Sequence, residues 1–335
     1  MPGIKALRKI QLGREVSAGT AVAATAVWRG TGTPEDERET VFVEEDIGIA
    51  LPTDRSYVSR LGAKFPFDPT PATFEQLIHI GEAGIKTIGT GAADGVGSGK
   101  IYNFTLPTTA ANTIKTYTLE GGDDAGAEEM EYCFVEDFTL EGAPGEPLIL
   151  SANWRGRQLA PTTFTGALTA PTVEDILFSK GKLYIDAIGG THGSTQKSNT
   201  LIGMNFNLKT GYVASDPGDG NLYFMFHKWV KSAFNGDLNI TFEHETTSIA
   251  EKVNWRAQTA RKIQLKFEGT ALGTPGTTYT YKTLIINAVG KWAKFEKIGD
   301  RNGNDIVNGL FRFGYDATPA SGGNIIVVNE VATVP

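Results

Sequence analysis

The sequence predicts a mainly β protein: two tandem antiparallel β-sandwich or barrel domains, each with one α-helix. Three observations carry this. Forty glycines, with abundant Thr and Asn, favour strands and turns over long helices. Apolar residues recur at every second position in many segments, the period of a half-buried strand. The same order of strands and one helix then occurs twice along the 335 residues. A hydrophobic fraction of 40% supplies packed cores and is too high for a disordered chain.

Residues 1–40 read as an N-terminal arm without clear periodicity, ending in the charged stretch Glu35 to Glu39. Residues 41–160 form the expected first domain. Val41–Ile49 reads as a strand and Leu51–Pro69, rich in Pro and Asp, as a loop. A helix follows, with Thr70 as cap, Pro71 in its first turn, an apolar stripe at Phe74, Leu77, Ile78 and Gly81, and a stop at Gly84. Strands are expected at Ile101–Leu106, Ile114–Glu120, Glu131–Glu141 and Pro147–Arg157. The last two flank the hairpin signal Gly142-Ala-Pro-Gly145. Residues 161–180 read as a connector.

Residues 181–335 form the expected second domain, with strands at Gly181–Asp186, Asn199–Leu208, Leu222–Val230 and Asp237–Glu243. Its helix starts at Ser248, where Ser248 and Glu251 have capping-box spacing. Strands at Lys262–Gly269, Tyr279–Val289, Ile306–Tyr315 and Ile325–Val331 complete it. Val41 lines up with Leu201 and Pro147 with Val307, both 160 positions apart. Residue identity between the halves is low, so the repeat is one of pattern.

The formal net charge of −7 argues against gripping nucleic acid by neutralising phosphates. Cys133 is the only cysteine, so no intrachain disulfide and no Cys-based metal site can form, and the chain reads as folded in a reducing cytoplasm. No apolar run reaches the roughly 18 residues of a membrane span. The basic start followed by an Ala-rich stretch lacks the Leu, Ile and Phe of a signal peptide, and Arg14-Glu15 interrupts it.

Chemical motifs fail on inspection. Gly91 to Lys100 lacks the first Gly and the final Ser or Thr of a phosphate-binding loop, with Asp94 and Ile101 in those places. Asp300 to Asp305 starts like a calcium loop, but Asp305 and Phe311 occupy the Gly and Glu positions. His79, His192, His227 and His244 form no zinc-binding pair, and no nucleophile elbow occurs. No cofactor, metal or catalytic residue is assigned. The five tryptophans, Trp28, Trp154, Trp229, Trp255 and Trp292, are expected as core and interface anchors; a carbohydrate-binding, adhesion or capsid-decoration role for two β-sandwich domains is the alternative function.

Leu12-Gly-Arg-Glu15 with Gly19 to Arg29, Gly181 to Gly190 leading to Gly203 to Tyr212, and the run Thr241 to Gly269 resemble the tail tube proteins of long, non-contractile-tailed bacteriophages, in a duplicated form. The resemblance spans nearly the whole chain. It implies a structural subunit of a hollow tube in the virion tail, assembled in the bacterial host cytoplasm. Each domain would add strands to a continuous barrel around the lumen, and three chains would fill a ring of six domains. The implied partners are further copies of the chain, a tape-measure protein, tail terminator and tail-tip proteins, and genomic DNA in non-specific passage, with no membrane. An acidic lumen would let DNA slide without sticking. Glu44, Asp46, Asp137, Asn205, Asn207 and Glu243 are the candidates for that face, because they fall on the polar side of expected strands.

Overall fold

A computed structural model describes residues 3–52 and 54–335. The fold is mainly β, every strand pairing in it is antiparallel, and two α-helices occur among the described residues: α1, Leu77–Gly84, and α2, Thr246–Arg256. No helix among them is long and apolar enough to cross a membrane.

Two long strands organise the molecule, and each serves two sheets. The first stretch of Ala127–Gly142 pairs with Tyr117–Gly122 on one side and with Ala160–Thr162 on the other. From Phe134 onward it pairs instead with Ile149–Gly156, across the hairpin whose turn places Gly145 at φ 90°. Tyr281–Phe295 repeats this scheme. Its first stretch lies between Arg261–Ala271 and Gly323–Asn329, and its end pairs with Asn304–Phe313. Each strand carries a β-bulge at the changeover, Val135/Asp137 in one and Trp292/Lys294 in the other. A bulge bends the strand and raises its twist, which lets it leave one layer and enter another. The outer neighbours match as well: Lys9–Arg14 lies beside Tyr117–Gly122, and Gly181–Ala187 beside Arg261–Ala271.

The halves meet in one sheet. Asp137–Gly142 pairs with Lys209–Met204, part of Leu201–Ser215, which continues into Phe226–Glu243 and then Asn304–Phe313. Beyond Ile149–Gly156 lies Ala63–Pro71, and beyond that the short strand Glu35–Asp36. A second tie places Lys100–Thr105 against Gly323–Asn329. One hydrophobic core therefore runs through both halves, from Ile10 and Phe65 to Phe206, Trp292 and Val327.

Several local expectations are corrected. The strand Val41–Ile49 is only Glu39–Phe42, and the loop Leu51–Pro69 contains two strands, Ser56–Arg60 and Ala63–Pro71. Glu39–Phe42 pairs with Ser56–Arg60, so Gly32 to Phe42 and Ser56 to Phe67 make one hairpin. This hairpin, not residues 41–49, holds the place that Leu201–Ser215 and Phe226–Glu243 hold in the second half. The uniform spacing of 160 fails accordingly; the two bulges lie 157 positions apart. Residues 9–14, assigned to the arm, form an interior strand with Leu12 buried. The expected strands Leu222–Val230 and Asp237–Glu243 are one strand, Phe226–Glu243, bent where Gly211 at φ 86° marks a bulge in its partner. Helix α1 begins at Leu77 because Thr70 and Pro71 end a strand. Helix α2 is capped by Glu245, whose side chain accepts from the Ser248 N–H while its own N–H donates to the Ser248 hydroxyl, so Ser248 is the third helical residue and not the cap.

Each helix is pinned by a buried glutamate at its sixth residue. Glu82 of α1 takes two bonds from Arg14, at 2.8 and 3.2 Å, and a third from the Tyr117 hydroxyl at 3.1 Å. Glu251 of α2 takes two from Arg261, at 3.2 and 2.8 Å, and one from the Trp292 indole N–H at 2.9 Å. Both carboxylates are essentially sealed from water, 0% and 3% exposed. Beside the first pair, burial and then the Arg14 charge push His79 down to about 4, so it packs as a neutral ring against Tyr117. Removing the cation strands a buried carboxylate, so Arg14→Ala and Arg261→Ala should each cost about 3 kcal/mol. Chemical denaturation measures this; losses below about 1 kcal/mol, the range of an exposed pair, would refute the pinning role.

Candidate functional surface

The most extensive feature outside the core is the outward face of the joined sheet. Among the described residues it is eight strands wide, in the order Glu35–Asp36, Ala63–Pro71, Ile149–Gly156, the second part of Ala127–Gly142, Leu201–Ser215, Phe226–Glu243, Asn304–Phe313 and the end of Tyr281–Phe295. Alternation fixes what each face carries. Phe65, Phe67, Trp154, Phe138, Leu140, Phe206, Leu208, Leu238, Ile240 and Phe311 point into the core. Their neighbours in sequence point away from it and are mostly polar.

Four of the six candidates lie together on this polar face. Asp137 stands between Asn153 and Lys209 and accepts a 2.8 Å bond from the Asn153 amide. Asn205 donates to Glu141 at 2.7 Å, and Asn207 to the Thr139 hydroxyl at 2.8 Å. Glu243 closes its strand opposite Ile306. Glu44 and Asp46 do not join them. They lie in the irregular segment after Phe42, because the strand expected there stops short.

The face also carries residues outside that candidate set, Arg155 and Thr241 among them, which the alternation of their strands already turns outward. Arg312 donates to Asp237 at 3.1 Å, Asn235 to the same carboxylate at 2.6 Å, and Thr241 to Asn308 at 2.8 Å. Arg155 donates to Glu136 at 3.2 Å and to Glu37, which Lys64 also pairs. Alternation along the strand was the available signal for most of them, but not for Glu37, which follows its strand, or Glu136, which sits in a bulge. Carboxylates and cations are interspersed, so the face presents amides, hydroxyls and paired charges and not a single-sign acidic field.

Other features resolve into structure. Among the described residues, no group of His, Cys, Asp and Glu could hold a metal ion. Asp94 accepts backbone bonds from Thr278 and Tyr279, tying two loops. The polar segment at 300–305 is a hairpin turn, with Asn302 and Gly303 both at positive φ. Trp28, Trp154 and Trp292 are buried, and Trp229 and Trp255 half-buried. Burial, with Glu15 and Glu131 nearby, pushes the Cys133 thiol well above its usual range, which suits an inert core residue. No protein-family model matches the chain, and no curated protein matches it.

If the polar face is a working surface and not a folding requirement, it should tolerate truncation. Replacing Asn205 and Asn207 together by Ala should change stability by less than about 1 kcal/mol, whereas Phe206→Ala between them should cost about 4 kcal/mol. Urea midpoints compare the two; equal losses would mean that the amides are structural.

Proposed function

We propose that the chain is a structural, non-catalytic tube subunit, a duplicated member of the phage tail tube class, whose rings stack into a conduit for viral DNA. The observation that carries this reading is the joined sheet: eight strands, apolar on one face, polar on the other, and, among the described residues, open at both edges. A sheet edge left open is a template for another strand, and barrels remove edges altogether.

Under this reading the two halves are equivalent tube domains, and three chains close a ring. Twenty-four strands spaced ~4.8 Å apart and tilted ~40° make a barrel about 50 Å across at the backbone. That leaves a lumen wide enough for a DNA duplex. The lumen face would be the polar one, with the helices outside. Interspersed charge changes the reason why DNA passes freely. A charge-balanced wall of amides and hydroxyls offers a polyanion no cation stripe to release counterions against, and no strong repulsion either. A tape-measure protein during assembly, and terminator and tip proteins at the ends, complete the proposed partners, with the virion tail as the location.

Negative-stain imaging of the purified chain at increasing concentration tests this directly. Rings or stacked tubes with an open centre are expected, with no substrate consumed. A chain that stays monomeric at every concentration would overturn the reading.

A further inference from the structure

The chain contains a finished joint between its halves, and the parts of a second, unfinished one. In the finished joint, the second-half hairpin of Leu201–Ser215 and Phe226–Glu243 does two things to the first half. Its base, Met204–Lys209, pairs with Asp137–Gly142. Its tip carries Tyr212, Ala214, Phe224 and Trp229 onto Ile114, Tyr132 and Phe134. Arg157 locks the tip by donating to the carbonyls of Phe224 and Met225, at 2.9 and 2.6 Å.

The unfinished joint has the same two parts. The first-half hairpin ends in Glu39–Phe42 and Ser56–Arg60, whose strand pairing among the described residues is with each other. Its base touches the second half through Arg60 with Asp216 and the Leu61 N–H with the Leu222 carbonyl. Around its tip Phe42, Ile47, Ile49, Leu51 and Tyr57 are 54–76% exposed. In the second half, the stretch matching Asp137–Gly142 begins at Lys294 after the equivalent bulge, and among the described residues no strand pairs with its outer side. The place that Tyr132, Phe134 and Arg157 hold in the first half is here an open cleft of about 340 Å³. Ala260, Gly290, Lys291, Ala293, Gly314 and Tyr315 line it. At Gly290 the backbone of Asn304–Phe313 approaches so closely that a Cβ would sit 2.0 Å from the Arg312 carbonyl oxygen.

We infer that the Glu39–Arg60 hairpin of one chain docks in the cleft at Gly290–Ala293 and Gly314–Tyr315 of a second copy, with the strand around Glu35–Asp36 pairing along that copy's edge from Lys294. Charge complementarity favours this occupant. Exposed Glu35, Asp36 and Glu39 lie on the hairpin side, where Arg38 and Arg60 already pair Asp36 and Glu39. Exposed Lys291, Lys294 and Lys297 lie on the cleft side, where Lys294 pairs Glu296, so Glu35 facing Lys291 and Lys297 is the complementarity the joint adds. Continuity favours it too, because the new joint extends the same sheet with the same polar face. The contact is heterologous, with different surfaces on the two copies, so repetition gives a ring or a filament and not a two-fold dimer. The inference rests on the tube reading, whose ring it would close.

Two substitutions at exposed positions separate the surfaces: Phe42→Asp on the hairpin and Ala293→Glu in the cleft, each checked for an unchanged melting temperature. Light scattering and imaging of the full chain should find that each raises the concentration for half-assembly by roughly tenfold or more. Mixed in equal amounts, the two variants retain one intact joint, between the Ala293→Glu chain's hairpin and the Phe42→Asp chain's cleft. The mixture should stop at dimers. If the unsubstituted chain forms rings and either variant does so equally well, or the mixture forms no dimers, the joint is wrong while the tube reading survives. If the unsubstituted chain never associates, both fall.

Discussion

The eight-stranded sheet that crosses both halves depends on one set of backbone hydrogen bonds, those between Asp137–Gly142 and Met204–Lys209. Without them each half would present a strand edge to solvent, with its N–H and C=O groups unpaired. With them, two sheets become one and the core becomes continuous from Ile10 to Val327. The register is held on both faces. Phe138 and Leu140 meet Leu208 and Phe206 on the core side, while Thr139 and Glu141 meet Asn207 and Asn205 on the other. A slip by one residue would exchange these sets and bury the amides.

The bulges and the helix pins make that sheet possible. A strand that serves two layers has to turn between them, and it does so at Val135/Asp137 and again at Trp292/Lys294. Each helix then covers the region of its half's changeover. Glu82 and Glu251 are each satisfied in the interior by an arginine and an aromatic donor, with the Ile88 and Gly89 N–H groups adding to the first and the Asn254 amide to the second. Such pairs are strict about geometry, which orients each helix more narrowly than apolar packing alone.

Strands with a strict apolar period and near neighbours were legible in the sequence. Pro147–Arg157 and Ile101–Leu106 appear within a few residues of their expected ends. Alternation also placed Asp137, Asn205, Asn207 and Glu243 on one side of a sheet. The failures share a cause in long-range pairing. Ala63–Pro71 carries Pro66 and Pro69, local signals for a loop, yet Phe65 and Phe67 pair with Trp154 and Ala152, more than eighty residues away. Lys9–Arg14 is too short to show a period, and its partner is a hundred residues distant. Residues 41–49 show the opposite case: the apolar pattern is present, but among the described residues the strand it predicts ends at Phe42. Glu44 and Asp46 were placed on the polar face by that pattern and fall off it for that reason.

The central claim is that the two halves are equivalent parts of a closed wall, and the mass of the closed ring tests it most directly. Native mass spectrometry of the assembled full chain should give rings of three 36.0 kDa subunits, and stacks in multiples of three. A ring of six chains would contradict the account, because only one half of each subunit could then line the channel.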